Sequence, residues 1–280
     1  MSGRLEIIGT PIGNLADLSE RGRVALTSAD VIACEDSRRL AKLMNYLGLE
    51  MPKVIIIESH RERSGAVAVC EELSLGNKVG LVTDAGMPTI SDPGSMVVKA
   101  VVEAGYVVDV IPGPTAISTA VAASGFFAKQ FMFLGFLDKK GSGRVEDIQA
   151  LSEFSGLVVL YESPKRIERT LSELMQACGP DRLVMVAREL TKVYQTFYRG
   201  TLASVHEDLA DNSLKGELTV VIGPVDDSAH KVGDSEIVQV IEDKTNSGVS
   251  TKDAIAQTAQ ELKVAKNRVY KLAQALTKRN

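Results

Sequence analysis

The sequence predicts an α/β protein with two domains and a small helical appendage. Two observations carry this. Short apolar runs alternate with longer segments whose apolar residues recur at helical spacing, and four of the runs end in loops rich in Gly, Pro, Ser and Thr. The chain has 280 residues, 45% of them hydrophobic and 24% charged, enough to bury a core without covalent staples.

Runs at 5–8, 31–34, 54–57, 79–82 and 107–111 are expected as strands. Segments 20–28, 37–47, 61–75 and 95–104 lie between them and are expected as helices. Strand–helix alternation implies a mainly parallel sheet covered on both faces. Segment 115–123 reads as a helix of small residues. A less regular second series follows, with strands at 131–134, 157–161, 183–187, 194–198 and 218–222 and helices at 144–154, 165–177 and 202–210. It is expected to include antiparallel pairs. Domain limits are placed at 1–113, 114–224 and 225–280, with a flexible loop at 138–143 and a linker at 224–234. Two short helices, 251–262 and 264–276, resemble a helix–turn–helix unit. From Lys252 onward, Lys252, Lys263, Lys266, Arg268, Lys271, Lys278 and Arg279 outnumber Asp253 and Glu261. This face either is simply solvated or contacts RNA.

Net charge is −4, so nucleic-acid binding would have to come from local basic patches. Cys34, Cys70 and Cys178 are isolated among apolar residues, which argues against a structural metal site and for a reducing compartment. The first apolar run starts at residue 5, with neither a signal-peptide pattern nor a membrane-length stretch, so a cytoplasmic location is expected.

Four loops stand at expected strand ends: Gly9-Thr10-Pro11-Ile12-Gly13-Asn14, LVTDAGMPTISDPG at 81–94, Ile111-Pro112-Gly113-Pro114-Thr115-Ala116, and Tyr161-Glu162-Ser163-Pro164. The C-terminal ends of parallel strands share one sheet edge, so the first three should face a common crevice. Gly9 to Gly13 is not a dinucleotide fingerprint, and no Walker lysine–serine pair occurs. A nucleoside-like ligand without phosphates fits such loops, and S-adenosylmethionine is one such molecule.

The strings TPIGNLADLSERG, ACEDSRR, LVTDAGMPTISDPG, VIPGPTA, FLGFL, YESPKR, ARELTK and KGEL occur in that order. Over about residues 5–223 this pattern resembles the ribosomal RNA branch of the tetrapyrrole methylase superfamily, the class III methyltransferases. The porphyrin branch usually carries Gly-Asp-Pro where this chain has Gly86-Met87-Pro88. The resemblance implies a homodimer of two αβα domains with S-adenosylmethionine in the cleft between them. It further implies 2'-O-methylation of a cytidine in the decoding centre of 16S rRNA in the small subunit. Cofactor contacts carried over by position are Pro11, Met87, Ile90, Thr115 and Ala116, with Glu162 or Ser163, Arg188 and Gly216.

A ribose hydroxyl is a poor nucleophile, and a general base would accelerate transfer about a hundredfold or more. The candidates are Glu35, Asp36, Asp84, Glu189, Lys192 and Glu217, with Lys192 and Glu189 favoured. Lys192 would have to be neutral, and Arg188 could depress its pKa. A structural alternative is an Arg188–Glu189 pair at a domain interface, and Asp92 before Pro93 could merely cap the next helix. Candidate RNA-gripping cations are Arg38, Arg39, Arg61, Arg63, Lys139, Lys140, Arg144, Lys165 and Arg166. His60 is expected to be solvated or locally bonded. Base stacking would fall to Tyr46, Phe126, Phe127, Phe136 or Tyr161, most of which suit a core equally well.

Two other functions compete: a tetrapyrrole C-methyltransferase of the same fold, and a non-catalytic ribosome-binding protein. The absent Gly-Asp-Pro step and the basic tail weigh against the first. The second predicts no methyl transfer.

Overall fold

The computed structural model describes residues 3–58, 60–210, 214–225, 233–262, 264 and 266–277. The chain divides into two compact units, Met1–Val225 and Asp226–Asn280.

The first unit holds two five-stranded sheets. In the first sheet, β1 (Arg4–Ile8), β2 (Val31–Cys34), β3 (Lys53–Ile56), β4 (Lys78–Leu81) and β5 (Val107–Ile111) run parallel in the order β3-β2-β4-β1-β5. Four helices connect them: α1 (Glu20–Ser28), α2 (Ser37–Leu47), α3 (Glu62–Ser74) and α4 (Ser95–Glu103). Period-two alternation splits the strand side chains between two cores. Leu5, Ile7, Val79 and Leu81 pack with Val69, Leu73, Val97 and Val101, whereas Ile8 and Ile32 pack with Leu26, Leu40 and Met44. Burial on both faces explains why the inner strands β1, β2 and β4 read as continuous apolar runs, whereas the edge strands β3 and β5 are partly exposed.

Helix ends follow local chemistry. The Ser19 hydroxyl accepts from the Gly22 amide at 3.0 Å to start α1, and the Asp36 carboxylate accepts from the Arg38 amide at 2.9 Å to start α2. Gly48, at φ +68°, ends α2 in the left-handed conformation that glycine adopts without strain.

In the second sheet, β6 (Phe131–Phe136) runs parallel to β7 (Leu157–Glu162). The remaining neighbours are antiparallel, in the order β6-β7-β10-β8-β9, with β8 at Leu183–Arg188, β9 at Thr196–Thr201 and β10 at Leu218–Ile222. Its helices are α5 (Ala116–Ser124), α6 (Ser142–Glu153), α7 (Ile167–Cys178) and α8 (Leu202–Ala210). Val158, Leu160, Val184, Val186 and Val220 pack with Leu171, Leu174 and Val205, while Val159, Met185, Ala187 and Val221 pack with Ile117 and Ala120 of α5.

Several expected limits move: β6 ends at Phe136, not 134, α6 begins at Ser142, not 144, and β9 ends at Thr201, not 198. β9 begins at Thr196, not 194, because residues 189–195 form a tight turn instead of a strand. α7 begins at Ile167, not 165, after a turn in which the Ile167 amide bonds the Ser163 carbonyl. In the second unit the sequence predicts two helices, whereas the described residues form three: α9 (Asp234–Asn246), α10 (Thr251–Glu261) and α11 (Lys266–Thr277). They enclose Ile237, Ile241, Ile255, Val269 and Ala273. Lys263, Lys278, Arg279 and the side chains of Lys266 and Arg268 lie outside the described residues. None of the described helices is long and apolar enough to cross a membrane.

Candidate active site

Backbone hydrogen bonds tie the first three loops together. Thr10 and Gly86 exchange amide-to-carbonyl bonds at 2.9 and 3.1 Å, and the Gly9 amide bonds the Ile111 carbonyl at 3.0 Å. The approach is close: a Cβ on Gly9 would lie 2.6 Å from both the Gly113 backbone and the Met87 sulfur. Gly86 sits at φ +84°. The first loop also reaches the second half of the unit, where the Asn14 amide donates to the Thr191 hydroxyl at 3.1 Å.

These loops wall a cleft of about 280 Å³. It is lined by Ile12 of the first loop, 85–87 and 90–92 of the second, Thr115 and Ala116 of the third, and 161–164 of the fourth. Leu190 and residues 216–219 complete it, together with Phe136. All four sequence-predicted loops thus meet at one cavity. Of the expected cofactor contacts, Met87, Ile90, Thr115, Ala116, Glu162, Ser163 and Gly216 line it. Pro11 lines an adjoining cavity, and Arg188 lines neither, its Nε donating to the Lys215 carbonyl at 2.8 Å. Apolar walls, exposed loop backbone and few cations suit a nucleoside-like ligand better than a pyrophosphate.

Backbone strain concentrates at the cleft. Thr89, Ser91, Glu189 and Thr191 all take positive φ, between +51° and +74°. Thr89 and Thr191 are β-branched, for which this conformation is a genuine outlier.

Carboxyls gather at and beside the cleft: Asp92 lines it, Asp84 lines the adjoining cavity, and Glu35 acts on Asp92 from nearby. Burial, assisted by Glu35 and Asp84, pushes the Asp92 carboxyl up to about 6 against the pull of the Thr83 hydroxyl. Burial likewise raises Glu35 and Asp84, both opposed by Arg39. Burial and the neighbouring carboxylates push the Cys34 thiol up to about 11. Asp36 differs: its hydrogen bonds from Arg38 hold it down at about 2. The expectation that Asp92 caps a helix is overturned. Gly94 is the N-cap of α4, and Glu62 Oε1 accepts from the Gly94 and Met96 amides at 2.9 and 2.6 Å.

Lys192 is also not the neutral base that the sequence favours. Its Nζ lies 2.8 Å from both Glu189 Oε1 and Glu217 Oε2. Burial lowers its pKa, but these two hydrogen bonds outweigh burial and raise it, keeping the ammonium charged. Arg188 is not paired with Glu189, whose partner is Lys192. The Glu189 carboxylate is held further by the Glu217 amide at 3.0 Å, so it stays ionised as the bracket of the 189–192 turn.

Two expected RNA cations are structural. Arg144 is 3% exposed, with bonds to Glu173, the Thr170 hydroxyl and the Asp138 carbonyl. Arg166 pairs with the buried Glu162 at 2.8 Å and donates to the Leu137 carbonyl. Glu162 also accepts from Thr170 and from the Ser163 amide, so its carboxylate braces the fourth loop. Arg61, Arg63, Lys139, Lys140 and Lys165 are exposed, without an ion-pair partner among the described residues. Arg38 pairs with Asp36 and Arg39 with Asp84. His60 is exposed beside Glu58. Phe126 packs against the core between α5 and the second sheet, whereas Phe136 and Tyr161 line the cleft.

The sequence profile described as Tetrapyrrole (Corrin/Porphyrin) Methylases matches residues 4–206. A Bacillus subtilis protein named ribosomal RNA small subunit methyltransferase I is 36% identical over 273 residues, covering 96% of this chain and 93% of that protein. A Thermotoga maritima protein of the same name is 40% identical over 223 residues, 79% of this chain and 98% of that protein. Among solved structures, uroporphyrin-III C-methyltransferase from Thermus thermophilus complexed with S-adenosyl homocysteine superposes with a TM-score of 0.59 at 16% identity, over 80% of this chain and 98% of that one. The chain belongs to the tetrapyrrole (corrin/porphyrin) methylase family, and within it groups with the proteins named ribosomal RNA small subunit methyltransferase I.

Proposed function

We propose that this methyltransferase takes a methyl group from S-adenosylmethionine to the ribose 2'-oxygen of a cytidine in the decoding centre of 16S rRNA. The observation that carries the reading is the four-loop cleft, in a chain whose full-length relatives bear an rRNA methyltransferase name. The donor would lie along 85–87, Ile90, Thr115, Ala116 and Gly216. When bound, it supplies an electrophilic methyl on a cationic sulfonium. The Asp92 carboxyl, which lines the cleft, suits a cationic ligand when ionised. The apolar wall of Ile12, Ile90, Phe136 and Leu190 excludes water around the transferring group. Exposed Arg61, Arg63, Lys139, Lys140 and Lys165 are the proposed phosphate contacts, and the acceptor is proposed to be the small ribosomal subunit. A homodimer, a cytoplasmic location and domain limits near 113 and 224 form part of the same reading.

Isothermal calorimetry with S-adenosylmethionine, followed by incubation with labelled donor and 30S subunits lacking the modification, tests it. Donor binding and labelled 16S rRNA are expected. Donor binding with no label on the subunits would favour a tetrapyrrole acceptor, and the absence of both would favour a non-catalytic ribosome-binding protein.

A further inference from the structure

A second cavity, of about 420 Å³, adjoins the first and differs from it in chemistry. Its walls carry Asp36, Arg39, Lys42, Asp84, Lys192 and Glu217. The two cavities share Ile12, Ala85 and Glu217, so they meet at one junction. A methyl group passing in line from one bound molecule to another has to cross that junction.

The charged walls sort by what is already engaged. Lys192 is held between Glu189 and Glu217, and Asp36 is held by Arg38. Glu217 is largely exposed, with its carboxylate on Lys192. Arg39 places its Nε 3.1 Å from Asp84 Oδ2 and is itself more than half exposed. Lys42, one helical turn along α2, is exposed and without an ion-pair partner among the described residues. Asp84 precedes the shared Ala85, and its Oδ1 is buried without a well-formed hydrogen bond. An acceptor atom in that state is one that a ligand hydroxyl would satisfy. Burial also raises the Asp84 pKa, which makes its carboxylate a stronger base than an exposed one.

We propose that this second cavity holds the acceptor nucleotide, with Arg39 and Lys42 on its phosphate and the Asp84 carboxylate accepting the proton of the ribose 2'-hydroxyl. The inference rests on the RNA methylation reading above. In the step, the 2'-oxygen bonds to the methyl carbon as the carbon–sulfur bond breaks. The electron pair of that bond stays on sulfur as the neutral thioether, and the hydroxyl proton moves to Asp84.

Single-turnover methyl transfer to unmodified 30S subunits, and equilibrium binding of those subunits at several salt concentrations, test this in the full-length protein. Asp84→Asn is expected to lower the single-turnover rate about a hundredfold or more while donor affinity by calorimetry stays unchanged. Arg39→Ala and Lys42→Ala are each expected to weaken subunit binding and reduce the slope of log affinity against log salt by about one. An Asp84→Asn rate near wild type would overturn the proposal. So would an Arg39→Ala variant with the full Asp84→Asn rate loss and an unchanged salt slope, because the ion pair would then be only structural. Wild-type protein that fails to label the subunits would overturn the methylation reading itself, a different result from either.

Discussion

Asp92 and Lys192 show how far a side chain's role depends on what folding places around it. In the sequence, Asp92 is one acidic residue ahead of a proline, and a capping role fits. In the structure it lines the cleft with Glu35 and Asp84 nearby, and its pKa is about 6 against an ordinary 3.8. Between those values the folded state binds more protons than the unfolded state, so stability falls as pH rises through the interval and levels off above it. Replacing Asp92 by Asn removes that penalty. The expected result is a gain of about 1–2 kcal/mol at pH 8 that vanishes near pH 4, read by urea denaturation. Gly86 is a simpler case. Its φ is +84°, and a Cβ added there would lie 3.4 Å from an Ile12 methyl. Gly86→Ala is therefore expected to cost about 1–2 kcal/mol, seen as a lower melting temperature. The glycine and proline positions are legible in the sequence because backbone geometry restricts them. The protonation of Lys192 is not, because it depends on Glu217, 25 residues away in the chain.

At the level of strands and helices, strongly periodic segments are legible nearly to the residue. α1 and α2 fall at their expected limits, and β1, β2, β4 and β5 differ by at most one residue. Helix α9 escapes the sequence reading because its buried Ile237 and Ile241 sit in a short apolar run next to an acidic linker-like stretch. Its spacing of four is the available signal. With α9 in place, the second unit is not uniformly basic. Asp234, Glu236, Glu242 and Asp243 lie on α9, and Asp253 and Glu261 outnumber Lys252 on α10, so the excess of cations is confined to the sequence from Lys263 onward. The Glu62 bracket is invisible in the sequence, since it joins the start of α3 to the start of α4 through tertiary contact. It anchors the cleft loop where that loop becomes α4. Glu62→Ala is expected to cost about 1 kcal/mol of stability, measured by denaturation, and to weaken donor binding in calorimetry. Unchanged donor affinity would mean that the loop keeps its shape without the bracket.

The whole molecule pairs a parallel sheet with a mixed one and sets the loops of both around one cleft. Strand alternation makes that architecture legible, and the ordered loop motifs locate the cleft. Which cations face solvent is not legible, because burial of Arg144 and Arg166 follows from their partners and not from their type. The Thermotoga maritima relative is nearly exhausted by 79% of this chain, and the remainder is comparable in length to the second unit. Deleting the tail from about Ser235 is therefore expected to weaken 30S binding and leave donor affinity intact, measured by filter binding and calorimetry. Equal loss of both would mark the tail as structural. The most direct test is to locate the transferred methyl group. Labelled donor is incubated with unmodified 30S subunits, and the product nucleoside is identified by mass spectrometry. Label on the ribose 2'-oxygen of a cytidine in the decoding centre is the expected result. Label on a base atom would contradict the proposed reaction.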